Sequence, residues 1–185
     1  MRVLVTIFEE LVPLSGGGTP RISNIIKALT KKGHQVYVAS SIGVKKEDAI
    51  DQLGCIDLAP LLKVSRLSSN KMIKYLYAHP LNIGRVVRYA RKVKPDLIIS
   101  HNSIAGFAAL WAKRFRKECL VILDLTDLLF EYLQEYHSGR WMRLVQLAGK
   151  RLERKVIRKS NKIVTISNSM REILLTYGAQ PENVE

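Results

Sequence analysis

Three short groups of residues along this chain have the composition of a ligand-binding site. The first is the triple glycine Gly16-Gly17-Gly18, whose backbone N–H groups can receive an anion or a hydroxyl group without obstruction by side chains. The second is the pair His101-Asn102, and the third is the stretch Asp124-Leu125-Thr126-Asp127. Within the third group, Asp127 is the candidate to orient a ligand hydroxyl or to act as a base.

Each group also has a structural explanation that the residues alone leave open. The glycines can form a plain flexible turn, although three of them cost backbone entropy that a simple connection does not need. Asn102 and Ser103 are good N-cap residues for a following helix, and Asp127 is another. The sequence therefore names candidates for the site without excluding a capping role for each of them.

The elements that must position these groups alternate between strand and helix. Apolar runs without a polar face are typical of central parallel strands. They occur at Arg2–Phe8, Val36–Ser40, Leu97–Ser100, Leu120–Leu125 and Ile163–Ser167. Helical apolar spacing and caps predict helices from Thr19 to Gly33, from Ile104 to Phe115, from Ser138 to Ser160, and after a Ser169/Glu172 capping box as far as Gly178.

This alternation predicts an α/β fold, a Rossmann-like, doubly wound and mainly parallel sheet with helices on both faces. The three polar groups then lie at the carboxyl ends of strands, where such sheets bind their ligands. In the less regular middle of the chain we predict a short strand at Val64–Leu67 and a short helix at Asn70–Ala78.

The glycine loop does not match a dinucleotide fingerprint. That fingerprint places its glycines directly after the first strand and an acidic residue at the end of the second. Here the loop from Glu9 to Thr19 is much longer, and the second strand ends in Ser40-Ser41. An NAD site is therefore disfavoured.

The net charge of +14, from 30 Lys and Arg against 16 Asp and Glu, indicates attraction to an anionic partner. No acidic residue lies between Asp57 and Asp96, and Glu153 is the only one from Arg140 to Lys162. A solvated surface and a nucleic-acid face both remain open, but no nucleic-acid motif accompanies the charge, and we expect no nucleic-acid partner. A third hypothesis is contact with anionic lipid headgroups through Lys71, Lys74, Arg85, Arg88 and Arg91.

The apolar and cysteine content is that of one intracellular domain. No apolar run in the sequence reaches the roughly 18 residues that a membrane helix needs. The run from Met1 to Phe8 is too short for a signal peptide and leads into Glu9. Cys55 and Cys119 lack CxxC spacing and a nearby His, so we expect two reduced thiols and no metal. The expected location is the cytoplasm, with peripheral contact at the inner face of the membrane.

In this order, five segments resemble the N-terminal half of family 4 retaining glycosyltransferases of the GT-B fold. They are RVLVTIF, SGGGTPRISNIIKALTKKGHQVYVAS, KPDLIISHNSIAGFAALWAKRF, VILDLTDLLFEY and KIVTISNSMREILLTYGAQPENVE. The stretch Asp124–Glu131 is similar to the sub-group that builds bacterial and archaeal surface polysaccharides. Many members of the family carry a histidine where this chain has Thr126, so the usual residue beside the transferred sugar is absent.

The resemblance implies an acceptor-side domain over residues 1–180 and the start of an interdomain linker over 181–185. The partner is then a C-terminal donor-binding domain, the donor a UDP- or GDP-sugar, and the acceptor a lipid-linked sugar or a polysaccharide. The loop Gly16–Gly18 would face the donor diphosphate, with His101, Asn102 and Thr126 beside the substrate. No cofactor is implied, and the domain alone is expected to be inactive.

Two other functions stay open at this point. One is a non-catalytic basic α/β module that binds an anionic membrane or a partner protein. The other is half of a sugar-nucleotide epimerase with the same architecture.

Overall fold

A six-stranded sheet forms the centre of the molecule in the computed structural model. The structure describes residues 1–14, 17–63, 71–128, 130 and 140–185, without the side chains of 71–78, 140–142, 144 and 145. The strands are β1 (Arg2–Val12), β2 (Gln35–Ile42), β3 (Asp57–Pro60), β4 (Leu97–His101), β5 (Leu120–Leu125) and β6 (Lys162–Thr165). They follow the order β3-β2-β1-β4-β5-β6, and every pair is parallel. The predicted doubly wound fold is confirmed.

Helices cover both faces of this sheet. They are α1 (Thr19–Lys31), α2 (Lys46–Leu53), α3 (Lys71–Val93), α4 (Asn102–Lys113), α5 (Arg140–Lys159) and α6 (Asn168–Thr176), with a 3-10 turn at Pro181–Asn183. Val3 and Val5 of β1 share a core cluster with side chains of α1 and α2, whereas Leu4 packs with α3 and α4. Because alternate residues of a strand point to opposite faces, α1 and α2 cover one face and α3 and α4 the other. The central strands are mostly apolar because both of their faces are buried, and their polar residues lie mainly toward their ends.

Three details differ from the sequence predictions. Helix α3 runs for 23 residues through Pro80, whereas the sequence predicted a short helix that ends at Ala78. The first strand continues to Val12, past the predicted end at Phe8. Helix α6 is capped by Ser167, whose side chain accepts a hydrogen bond from the Met170 N–H, so the predicted capping box at Ser169 is wrong.

The third strand in chain order lies at Asp57–Pro60. The strand predicted at Val64–Leu67 falls outside the described residues and stays a prediction.

The end of the chain packs against β6. Val184 is 5% exposed and forms a parallel bridge with Ile163. The Glu185 N–H donates to the Ile163 carbonyl at 2.9 Å, and the Thr165 N–H donates to the Glu185 carbonyl at 2.8 Å. The domain boundary at residue 180 stays a prediction. In the part of the chain that the structure describes, no helix has both the length and the apolar content to cross a bilayer.

Two glycines lie inside α3 and α4, the helices that cover the same face of the sheet, and their substitution tests the packing on that face. An ideal Cβ on Gly106 of α4 would lie 2.6 Å from Val156 Cγ1 of α5 and 2.9 Å from Leu123 Cδ1 of β5, whereas one on Gly84 of α3 meets no described atom within 4 Å. We expect Gly106→Ala to lower the free energy of unfolding by about 1–3 kcal/mol because of overpacking. Gly84→Ala should raise it by about 0.5–1 kcal/mol because alanine favours helix. Urea denaturation measures both, and equal shifts would contradict this packing.

Candidate functional site

The strand order reverses between β1 and β4, and the candidate residues gather at the carboxyl edge beside this point. A doubly wound sheet opens a crevice there because the helices on its two sides diverge. His101 is the last residue of β4, and its register partner on β5 is Asp124. Two groups that the sequence separates by 23 residues are therefore direct neighbours across the sheet.

A buried carboxylate joins two basic groups at this edge. Asp124 is 2% exposed, and its Oδ2 lies 2.7 Å from Nδ1 of His101, which is also 2% exposed. Its Oδ1 accepts a hydrogen bond from Nε of Arg21 at 2.8 Å. Because a carboxylate only accepts hydrogen bonds, the hydrogen of this contact is on Nδ1, and Nε2 points away from Asp124. The contact with Asp124, which Arg21 holds from its other side, fixes the orientation of the His101 imidazole.

The second ring nitrogen of His101 faces the glycine loop. An ideal Cβ on Gly18 would lie 2.7 Å from His101 Cε1 and closer still to Nε2, so only glycine fits at this position. Gly18 is the N-cap residue of α1 and has no side chain that could cap the first turn, and Pro20 in that turn carries no N–H. The donors that this helix start can offer to an anion are the N–H groups of Gly17, Gly18 and Arg21, with the partly exposed Arg21 side chain beside them. Gly17 belongs to the same loop, and Gly16 lies outside the described residues.

A second set of polar groups continues this edge. Asn102 begins α4 with φ of 65°, a left-handed conformation that asparagine tolerates better than most residues. Its Oδ1 accepts hydrogen bonds from the Thr126 hydroxyl at 3.2 Å and from the Thr126 N–H at 3.4 Å. The Thr126 hydroxyl also lies 3.3 Å from Oδ2 of Asp127, which is exposed and follows the end of β5, as predicted. Asn102, Thr126 and Asp127 thus form one connected polar rim.

Two members of the site escaped the sequence analysis. Arg21 reaches Asp124 across 103 positions of sequence. Glu9 lies on the extended end of β1, with Oε1 at 3.8 Å from His101 Nε2 and 3.5 Å from Asn102 Nδ2. A basic residue in the first turn of α1 was the only available signal for Arg21. No local pattern singles out Glu9.

The predicted membrane-contact residues lie along α3, outside this cluster. Arg88 is exposed, Arg85 donates to the Pro60 carbonyl at 3.1 Å, and the Arg91 guanidinium lies 3.6 Å from the centre of the Phe115 ring. The side chains of Lys71 and Lys74 are outside the description. Contact of these residues with lipid stays a prediction.

Neither cysteine has the surroundings of a reactive group. Burial raises the pKa of the Cys55 thiol to about 11, and burial also raises the pKa of Cys119. Both thiols are free and buried. Among the described residues, no three His, Cys, Asp or Glu side chains come together as metal ligands would.

Comparisons with known proteins agree with this fold. The family model described as Glycosyltransferase Family 4 matches residues 15–185. Similar solved structures include HepE of Anabaena in complex with UDP-glucose (14% identity, TM-score 0.60), sucrose-phosphate synthase of Thermosynechococcus elongatus (12%, 0.68) and a UDP-N-acetylglucosamine 2-epimerase (12%, 0.63). Each alignment covers 100% of this chain but only 43%, 47% and 47% of those chains, respectively. The chain therefore spans less than half their length, and no curated protein sequence matched it.

Proposed function

The chain belongs to Glycosyltransferase Family 4, and we propose that it is the acceptor-side half of a retaining glycosyltransferase that uses a nucleotide-sugar. The observation that carries the proposal is the contact of His101 with Gly18 and Asp124 at the strand switch point. This arrangement places the buried imidazole directly against the start of α1, at the edge of the sheet where ligands of such folds bind. A binding site at this loop explains why a buried histidine packs against a position that only glycine can occupy.

The proposed roles follow from what each group offers to a ligand. The N–H groups of Gly17, Gly18 and Arg21 at the start of α1, together with the Arg21 guanidinium, stabilise the negative charge of the donor diphosphate as it leaves. The Asn102–Thr126 pair hydrogen-bonds hydroxyls of the transferred sugar, and His101, whose side chain is buried against Gly18, positions the glycine loop beside that sugar. Asp127 is exposed beyond β5, where its carboxylate receives the proton of the acceptor hydroxyl.

Transfer requires a second domain because the donor, the anomeric carbon and the acceptor must be held together in one geometry. During the reaction the bond from the anomeric carbon to the diphosphate breaks, and a bond to the acceptor oxygen forms. We propose that residues 1–180 contribute the acceptor side and that 181–185 lead toward a donor-binding domain. HepE, one of the structural neighbours, was solved with UDP-glucose, which supports a UDP-sugar as the donor.

The acceptor is proposed to be a lipid-linked sugar or a growing polysaccharide at the cytoplasmic face of a membrane. The basic residues of α3 support this, because lipid-linked acceptors stay at an anionic surface. Arg85 and Arg88 are both exposed there. Peripheral attachment would hold the site beside its acceptor and raise the local concentration of that substrate.

A transfer assay with a protein that joins this chain to a donor-binding domain tests the proposal. Asp127→Asn should lower kcat by about 100-fold or more, the usual effect of losing a general base, without changing the folded state. The matched control is Asp51→Asn on α2, which is also an exposed carboxylate. UDP release and the anomeric configuration of the product are the readouts. Equal activity of the two variants, or no acceptor-dependent release at all, would overturn the proposal.

The binding half of the proposal is tested on the chain by itself. Inorganic pyrophosphate should shift the backbone amide resonances of Gly17, Gly18 and the first turn of α1. Arg21→Ala should weaken that response, whereas Lys27→Ala, further along the same helix, should not. A response spread evenly over the basic surface would argue against a diphosphate site.

An epimerase is the second candidate, favoured by the structural neighbour of that name with a TM-score of 0.63. The two functions differ in their need for an acceptor. Incubation of the joined protein with UDP-N-acetylglucosamine alone separates them. Formation of an epimer without any acceptor would support the epimerase.

A further inference from the structure

The two basic stretches of the sequence flank α4 on one face of the sheet. Helices α3 and α4 pack on the same side of the sheet, and Val156 of α5 lies against α4 at Gly106. Because helices run antiparallel to the strands they follow, the ends of α3, α4 and α5 point to the amino edge of the sheet. This is the edge opposite to the candidate site.

A groove of about 680 Å³ lies between α4 and α5, and we refer to it as the α4–α5 groove. Among the described residues that line it, five are basic and none is acidic. The basic residues are Lys113, Arg114, Lys117, Lys155 and Lys159, and Trp111 lines the groove with them. A second groove of about 360 Å³ lies on the other side of α5 and shares Lys155 and Lys159 with the first. The described lining of that second groove is entirely Lys and Arg.

Helix dipoles do not account for this much charge. The C-terminus of a helix carries about half a negative charge, which one lysine in the last turn offsets. Lys113 already fills that place in α4, and its Nζ also donates to Asn161 Oδ1 at 2.8 Å. The charges of Arg114, Lys117 and Lys155 come in addition. A surface of this kind attracts an anionic partner.

Exposed aromatic and apolar side chains accompany the charge. Trp111 is 44% exposed and Phe115 is 52% exposed, and Leu120 and Leu147 are also more than half exposed. The Arg91 guanidinium lies over the Phe115 ring and the Arg114 guanidinium lies 5.3 Å from the Trp111 ring centre. Tryptophan and phenylalanine beside lysine and arginine are typical of protein surfaces that lie in a membrane interface.

We propose that the α4–α5 groove is a docking surface for an anionic membrane. Lipid phosphates occupy the groove against Lys155 and Lys159, and Trp111 enters the headgroup layer. A second copy of this chain is a poor occupant because both surfaces carry the same charge. The proposal deepens the proposed function and rests on it for its purpose, which is to keep the protein at the membrane that carries a lipid-linked acceptor. The 12 residues of α4 connect the groove to His101 over about 18 Å, a distance that a membrane-bound acceptor can span.

Co-sedimentation with vesicles tests the docking surface. The probes are vesicles of phosphatidylcholine alone and of phosphatidylcholine mixed with phosphatidylglycerol. Each basic residue near an anionic surface contributes about fivefold to partitioning, so Lys155→Glu with Lys159→Glu should lower binding to the mixed vesicles by about 30-fold or more. The matched control reverses Lys31 and Lys32, two exposed lysines at the end of α1 on the opposite face, and changes the net charge equally. Circular dichroism establishes that both variants fold.

Tryptophan fluorescence distinguishes docking from other anionic partners. The chain has two tryptophans, so Trp141→Phe leaves Trp111 as the only tryptophan, whose emission is excited selectively on the long-wavelength side of tyrosine absorption. Its emission should shift to shorter wavelength and be quenched by brominated lipid in the mixed vesicles. Soluble glycerol phosphate and polyglutamate should leave it unchanged. An equal response to either soluble anion would overturn the proposal in favour of a free phosphate site or an acidic protein partner.

The variants on α3 separate this inference from the proposed function. If Arg85→Glu with Arg88→Glu abolishes vesicle binding while the Lys155/Lys159 variant binds normally, the α4–α5 groove is not the docking surface and the α3 contact stands. If the unmodified chain fails to bind anionic vesicles, both membrane contacts are wrong. The glycosyltransferase proposal is then decided by the transfer assay alone.

Discussion

Replacing Gly18 by alanine is expected to abolish most of the activity of the joined protein and to destabilise the chain. The added Cβ would lie 2.7 Å from His101 Cε1 and closer to Nε2. His101 cannot retreat without breaking its 2.7 Å contact with Asp124. We expect overpacking to lower the free energy of unfolding by about 1–3 kcal/mol. Displacement of the helix start by about 1 Å should lower kcat/KM by roughly 100-fold.

The adjacent glycine is the matched control for this substitution. A Cβ on Gly17 meets no described atom within 4 Å, so Gly17→Ala should change the free energy of unfolding by less than about 0.5 kcal/mol. The double variant with Gly18→Ala and His101→Ala should lose less stability than the sum of the two single variants, because the imidazole that causes the clash is gone. Urea denaturation measures the change in the free energy of unfolding for Gly17→Ala, Gly18→Ala, His101→Ala and the double variant. Strict additivity would show that the clash with His101 is not the cause.

The second large effect is expected from Asp124→Ala. This carboxylate is 2% exposed and bonds both His101 and Arg21, so its removal leaves two basic groups without their acceptor. Breaking a buried charge pair costs about 3–5 kcal/mol, and we expect the lower end because the Arg21 side chain is 37% exposed. The loss of imidazole orientation should also weaken the response of the Gly18 amide to pyrophosphate. Denaturation and the amide titration measure these two effects separately.

Asp127→Ala is the control at the same end of β5. Asp127 is exposed, so this change should shift the free energy of unfolding by less than about 0.5 kcal/mol while it lowers transfer. A loss of under 1 kcal/mol for Asp124→Ala would mean that the His101–Asp124–Arg21 contacts do not hold the site together. The pair of substitutions therefore separates the carboxylate that positions the site from the one proposed to take a proton.

Local patterns in the sequence were sufficient for the fold and for much of the candidate site. The apolar runs predicted strands at all of the positions that carry the site, since only a strand buried on both faces tolerates so few polar residues. Placing His101 and Asp124 at the carboxyl ends of such strands predicted that they share one edge, and they are register partners. Pro80 and the basic composition of the middle segment gave no comparable signal, and the length of α3 was missed there.

What the sequence by itself determined is the order of elements, the glycine loop before α1 and the polar residues at the strand ends, because these depend on contacts between near neighbours along the chain. The tertiary structure alone decided which side chains meet. Arg21 reaches Asp124, Glu9 approaches His101, and Gly18 lies against the His101 ring only after β1, β4 and β5 pair. The groove that brings the basic ends of α4 and α5 together beside Trp111 has the same origin. Side-chain partners at such separations depend on helix packing and strand order, and local periodicity carries no information about either.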